Sequence, residues 1–273
     1  MEKDIAYLDL GTISYGECWD LQRDLFNALV GSKTKPDGHR DAEGGGAEAS
    51  QRPERQPDES GGQEKARQYL LLCEHPPVYT LGKSGDEGNM LVTGEFLQSR
   101  GASLYRIERG GDVTFHGPGQ LVGYPILDLE IEGMGLREYI YSLEQSIIDT
   151  VAEYGISGTR VAGAAGVWLT DKNRLRKICA IGVKSTRYVT MHGFALNANT
   201  DLSWFDLINP CGFTDRGVTS IEKETGTPVD MDILKGIYVE KFMKNFDIKI
   251  NTEDYANRKT LGNQATRRRA QSG

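Results

Sequence analysis

The sequence predicts an α+β fold in which a mixed, mostly antiparallel sheet is flanked by helices. Three segments, 15–30, 136–154 and 231–246, repeat apolar side chains at three- and four-residue spacing, the pattern of amphipathic helices. The strand-like segments cluster between these helices instead of alternating with them, which disfavours a parallel βαβ repeat. No internal repeat is visible.

Ile5, Tyr7, Leu8 and Leu10 read as a first strand, and Cys18, Leu21, Leu25, Phe26 and Leu29 as the apolar face of the helix that follows. Tyr69-Leu70-Leu71-Leu72-Cys73 is a continuous apolar run, expected of a strand covered on both faces. It stops at His75-Pro76-Pro77, because proline cannot donate to a ladder. Strands at 102–108 and 121–129 flank the run Arg109-Gly110-Gly111-Asp112-Val113-Thr114-Phe115-His116-Gly117-Pro118-Gly119-Gln120, which reads as a shaped loop. Leu136, Tyr139, Ile140, Leu143, Ile147 and Val151 stripe the clearest helix, closed by Gly155. Segments 167–169 and 177–183 form a hairpin about Asp171-Lys172-Asn173, and 189–197 is a further strand. Ile233, Leu234, Ile237, Tyr238 and Phe242 mark the last helix, and Ile248 and Ile250 a short final strand.

The 38% hydrophobic content of the 273 residues is low, and the deficit is local. Residues 33–66 contain no Val, Ile, Leu, Met, Phe, Trp, Tyr or Cys, so they are expected to be a disordered insertion. Residues 255–273, with Arg267-Arg268-Arg269, read as a flexible basic tail, leaving 1–254 as a single domain. The N-terminus does not resemble a signal peptide, and no apolar run approaches a membrane span. Cysteines 18, 73, 179 and 211 show no metal-ligand spacing, and three sit in periodic apolar segments, as in a cytoplasmic protein with reduced thiols. The net charge of −7 argues against nucleic-acid binding. No metal or cofactor is expected, and with no apolar stripe left over a monomer is expected.

Leu81-Gly82-Lys83-Ser84 ends like a phosphate-binding loop, but the position that motif needs as glycine holds Pro77. Cys211, on a turn between Pro210 and Gly212, is the exception among the cysteines, either an inert loop thiol or a nucleophile, since Cys18, Cys73 and Cys179 read as small buried hydrophobes. A free thiol is mostly protonated at neutral pH and needs a cationic neighbour. The residues alone offer Lys177, Lys184, His75, His116 and His192 without choosing among them. Asp112 reads as a solvated turn residue, and Trp168 and Trp204 as core or interface aromatics rather than substrate contacts.

At His75–Gly82, Arg109–Gln120, Arg176–Val183, His192–Asn197 and Pro210–Gly212 the chain resembles the lipoyl(octanoyl) transferases. The resemblance implies the fold of biotin- and lipoate-protein ligases and a Cys/Lys dyad. In it Cys211 carries the acyl thioester and Lys177 lowers its pKa. It further implies an acyl pocket lined by Arg109, Gly110, Gly111, Asp112, Val113, Thr114, Phe115 and His116, by Ala180, Ile181 and Gly182, and by Gly193, Phe194 and Ala195. The implied activity moves octanoate from octanoyl-acyl carrier protein to a lysine of the lipoyl domains of 2-oxoacid dehydrogenases and of the glycine cleavage H protein. Backbone N–H groups of the glycine-rich loop would face the oxyanion. Two rivals share the fold: an ATP-dependent lipoate or biotin ligase, which needs no nucleophilic cysteine, and a non-catalytic lipoyl-domain binder.

Overall fold

The structure is a computed structural model, and it describes residues 4–33, 67–171, 174–209 and 216–250. The predicted insertion, save Lys33, and the predicted tail therefore lie outside the described residues, as does Cys211. The chain opens with β1 (Asp4–Thr12), α1 (Tyr15–Ser32), β2 (Gln68–Glu74), β3 (Val78–Leu81), α2 (Gly94–Ser99), β4 (Ser103–Arg106) and β5 (Val113–His116). There follow β6 (Gln120–Ile126), α3 (Leu129–Glu132), α4 (Leu136–Ala152), β7 (Thr159–Val161), β8 (Ala164–Asp171), β9 (Arg174–Thr186) and β10 (Val189–Asn197). The last described elements are β11 (Arg216–Val218), α5 (Ile221–Thr225), α6 (Met231–Phe246) and β12 (Lys249–Ile250).

The large sheet runs β12-β1-β2-β6-β10-β9-β8-β7, with β11 on β9, and a small sheet runs β4-β3-β5. Most of the large-sheet pairings are antiparallel; β1 with β2, β1 with β12, and β11 with β9 are parallel. Alternation along β2 shows why its apolar run is continuous. Leu70 and Leu72 join Tyr139, Leu143 and Ile147 of α4 and Tyr238 and Phe242 of α6. Leu71 and Cys73 join Cys18, Phe26 and Leu29 of α1. Helices thus cover both faces, and all nine residues of β10 are buried.

Local signals set the helix ends. Ser14 caps α1, its Oγ accepting from Glu17 N while donating to the Glu17 carboxylate at 2.6 Å, a reciprocal cap of the Ser-x-x-Glu type. Asp230 caps α6 by accepting from the N–H groups of Asp232 and Ile233. Lys33, placed in the insertion by the sequence, is ordered: its ammonium lies 2.6 Å from Asp128 and 2.7 Å from Glu130.

Three expectations change. The glycine-rich run is not one loop joining paired strands: it contains β5, and its flanks β4 and β6 belong to different sheets. A further strand, β3, begins immediately after Pro77 and pairs with β5 and β4. Ile233 is 60% exposed, and Val239 and Phe246 complete the buried face of α6 instead.

The hairpin β8–β9 forms as expected, with one irregularity. Val167 pairs with Cys179, but the next residue, Trp168, pairs with Lys177, so Ile178 is an extra residue in β9. Opposite Ala180, Gly166 sits at φ +122°, where a Cβ would collide with the Cys179 carbonyl oxygen. Gly166→Ala is expected to cost about 2 kcal/mol or more, from the backbone region together with the collision. Urea denaturation against the unsubstituted protein measures it.

Candidate active site

Small residues make the floor of the site. In the β9–β10 ladder Gly182 pairs with Gly193 and Ala180 with Ala195, so this floor carries no side chain larger than methyl. Above it lies a cavity of about 510 Å³. Of the residues expected to hold an acyl group, the structure brings Arg109, Gly110, Gly111, Asp112, Val113, Thr114 and His116 to one wall. Ala180, Ile181, Gly182, Gly193, Phe194 and Ala195 line it as well.

Phe115 does not line this cavity. In β5 successive side chains alternate, so with Thr114 and His116 lining the cavity Phe115 points into the core of the small sheet. There its ring stacks on Trp204 with centroids 5.3 Å apart. Reading the run as a loop hid this alternation.

The glycine-rich loop is held by its own arginine. Arg109 is 7% exposed, and its guanidinium donates to the Thr80 carbonyl oxygen at 2.6 Å and to Thr80 Oγ1 at 3.0 Å. Gly82 N donates to Asp112 O and Lys83 N to Arg109 O, so the end of β3 clasps the loop. The Gly82-Lys83 pair that resembled a phosphate loop serves this packing: a Cβ on Gly82 would collide with the Gly111 carbonyl oxygen. Gly110 N donates to Val183 O at 3.0 Å, so this N–H is committed to the fold and not to an oxyanion. Asp112 is nearly buried, not a solvated turn residue. It accepts from Asp86 N and from Asn89 Nδ2, at 3.2 and 2.6 Å.

Lys177 also lines the cavity, and the bulge in β9 directs it there. In a regular strand, residues 177 and 180 would face opposite sides of the sheet. The extra residue at Ile178 reverses the parity, so Ile178 and Cys179 are both fully buried and Lys177 shares the side of Ala180. Its ammonium lies 4.5 Å from the centroid of the Trp168 ring. Trp168, read from sequence as a core or interface aromatic, is buried but lines the same cavity. Cys211 lies six positions before Gly217 in the chain, and Gly217 is a lining residue whose neighbour Val218 pairs with Lys177.

Other cations of the hairpin are partly neutralised. Arg176 pairs with Glu224 at 2.7 Å, and Lys184 pairs with Glu108.

Three histidines near the cavity are neutral. His116 donates from Nδ1 to Gln120 Oε1 at 2.9 Å, and Gln120 donates in turn to Asn197 Oδ1 at 2.8 Å. Burial, with His75 and Arg109 nearby, lowers its pKa to about 3. His75 donates from Nδ1 to the Ile13 carbonyl oxygen at 2.7 Å and accepts at Nε2 from Tyr124 Oη at 2.8 Å; burial lowers its pKa to about 4. It therefore ties the connection between β1 and α1 to β6. His192 sits at φ +62° with both ring nitrogens buried and without a hydrogen-bond partner among the described residues, and burial lowers its pKa to about 3.

The sequence shows no metal-ligand spacing, yet the fold gathers Cys18, Cys73 and His75 so that their donor atoms lie within 4.8 Å of one another. These donors already serve one another. Cys73 Sγ lies 3.5 Å from His75 Nε2, Gln22 Nε2 donates to Cys18 Sγ at 3.7 Å, and burial pushes the Cys73 thiol well up, keeping it protonated.

Each histidine pKa is depressed below its unfolded value of about 6.5. The unfolded chain then binds protons that the folded chain refuses once the pH drops below about 6.5. Stability is therefore complete above that pH and falls toward pH 4, by up to about 1.4 kcal/mol per pH unit for each histidine. Thermal melts from pH 7.5 to 4.5 are expected to show this slope, and His116→Gln is expected to reduce it by one proton's share.

Residues 58–243 match the family model of the lipoyl protein ligase A/B catalytic domain. The octanoyltransferase of Parabacteroides distasonis is 47% identical over 246 residues, covering 89% of this chain and 99% of that protein. The octanoyltransferase of Porphyromonas gingivalis is 50% identical over 242 residues, covering 88% of this chain; the chain spans 44% of that relative's length. Among solved structures, lipoate-protein ligase A bound with ATP aligns at TM-score 0.57 and 13% identity, over 97% of this chain and 94% of that one. The bipartite lipoate protein ligase of Thermoplasma acidophilum aligns at 0.55 and 13%, over 97% and 91%. At that identity the likeness is one of fold. By the family match and the identities to these octanoyltransferases the chain belongs to the lipoyl protein ligase A/B catalytic-domain family.

Proposed function

We propose that the protein is an octanoyltransferase that acts through a Cys211–Lys177 pair, in the first step of endogenous protein lipoylation. The observation that carries this reading is Lys177, turned by the β9 bulge into a cavity with a glycine and alanine floor. Relatives named octanoyltransferase that cover most of this chain support it and favour transfer over ATP-dependent ligation. The donor is octanoyl-acyl carrier protein. The acceptors are lysines of lipoyl domains, in 2-oxoacid dehydrogenases and the glycine cleavage H protein, and the setting is the cytoplasm.

The reaction is two acyl transfers. A Cys211 thiolate, favoured by the Lys177 ammonium, attacks the thioester carbonyl; a new C–S bond forms and the carrier's C–S bond breaks. The leaving pantetheine thiolate takes a proton from Lys177. The neutral amine of the acceptor lysine then attacks the acyl-cysteine. A C–N bond forms, the Cys211 C–S bond breaks, and the amine's proton passes to Lys177, restoring the thiolate–ammonium pair. Exchange of a thioester for an amide is downhill and requires no nucleotide. The small-residue floor leaves the alkyl chain room to lie against the sheet, and neutral His116 and His192 add no charge to the wall.

Incubation with octanoyl-acyl carrier protein, read by intact mass, tests the reading. The unsubstituted protein is expected to gain one octanoyl group without ATP and to lose it to a lipoyl domain. Cys211→Ala is expected to gain none, and Lys177→Met to transfer at least about 10²-fold more slowly. Undiminished turnover by Cys211→Ala, or an ATP requirement, would sink it.

A further inference from the structure

Lys177 enters the cavity opposite an aromatic partner. The β8–β9 ladder sets Trp168 directly across from it, at the step where the bulge resets the register. The ammonium lies 4.5 Å from the indole centroid. The ring is itself fixed: Trp168 is 3% exposed, and its Nε1 donates to the Ala164 carbonyl oxygen at 3.0 Å, four residues back along β8. Both side chains line the same cavity. The bulge that turns the lysine inward therefore also delivers it to an indole face whose orientation is settled by a hydrogen bond.

Two opposing effects act on such a lysine. Desolvation in a cavity with a largely apolar lining drives an ammonium toward the neutral amine. The negative face of an indole attracts a cation, and more strongly where water is excluded. Resting on the reading of Lys177 as the acid/base partner of Cys211, we propose that Trp168 is the positioning residue for that lysine. Its indole face holds the ammonium where the cysteine thiolate and the leaving pantetheine thiol need it, and favours the charged form between turnovers. Trp168 takes part in no bond change. The proton given to the leaving thiol comes from Lys177 Nζ and is returned by the acceptor amine, so the indole affects only where Nζ sits and how firmly it holds its proton.

This role separates from a packing role by what each substitution keeps. Phenylalanine retains an aromatic face but loses the Nε1 anchor, whereas leucine retains bulk and loses the face. The test compares Trp168→Phe, Trp168→Leu and Lys177→Met in the full chain. It measures transfer from octanoyl-acyl carrier protein across pH, the pH dependence of Cys211 alkylation by iodoacetamide, and Tm. Trp168→Leu is expected to lower kcat about tenfold with KM little changed. It is expected to move the basic limb of the kcat profile down by about one pH unit, because an ammonium without the indole gives up its proton more readily. The alkylation midpoint is expected to rise, as the thiolate loses its placed cation. Trp168→Phe is expected to recover part of all three. Unchanged limbs and midpoint in Trp168→Leu, whether or not Tm falls, overturn the proposal and leave Trp168 a packing residue. Lys177→Met reports separately on the underlying reading. If it still transfers at full rate, the reading of Lys177 has failed; if it is inactive while Trp168→Leu titrates normally, only the role of Trp168 has.

Discussion

An extra residue in one strand changes which side of a sheet every residue beyond it faces. In β9 that residue is Ile178, and the change of side falls between Ala180, on the cavity floor, and Lys177. The bulge satisfies two demands that plain alternation sets against each other. The hydrophobic core takes Ile178 and Cys179 in succession, and the cavity takes the lysine and the alanine on either side of them. Gly166, approached closely by the Cys179 carbonyl, is where β8 accommodates the irregularity. The pairing of Trp168 with Lys177, the entry of the ammonium and the continuity of the core all follow from this one defect in the ladder.

The opposite wall is built by a different economy. Arg109 is a buried cation in a loop lining an apolar cavity, yet its hydrogen bonds run to Thr80 and to its own loop. A charge that would attract carboxylates is thereby turned into a structural rivet, with the loop carbonyls and Thr80 solvating it in place of water. The neighbouring histidines are treated alike, each held neutral by burial. This wall thus has polar groups close to its surface and directs little charge into the cavity, in contrast to the Lys177 ammonium that enters from β9.

Much of this was legible in the sequence where the period was long enough to read. The helices α1, α4 and α6, the buried strand β2 and the β8–β9 hairpin all follow from spacing. What was not legible is short or irregular. β3, β5 and β11 have four residues or fewer and are bounded by Pro, Gly or Asx-rich segments. Three or four residues do not establish a period of two, which is why Phe115 was grouped with its neighbours. Lys177 is the sharper case. Counting back from Ala180 by alternation sends it to the wrong side of the sheet, and nothing in Lys177-Ile178-Cys179-Ala180 announces a bulge. Family resemblance singled it out where periodicity could not. The gathering of Cys18, Cys73 and His75 was equally hidden, because it joins a helix to a strand with the whole insertion between them in the chain.

Lys33 and Gln68, which bracket the segment expected from sequence to be an insertion, meet at one residue. Lys33 reaches Asp128 with its ammonium at 2.6 Å, and Gln68, the first residue of β2, accepts from the Asp128 N–H at 2.7 Å. Asp128 is thus a clasp across the mouth of whatever lies between. With the ends stitched together by the fold, lengthening the intervening chain adds only a logarithmic closure term, about 0.6 kcal/mol per doubling. The end of α1 and the start of β2 therefore share one anchor, and the covalent connection between them begins and finishes at the same aspartate.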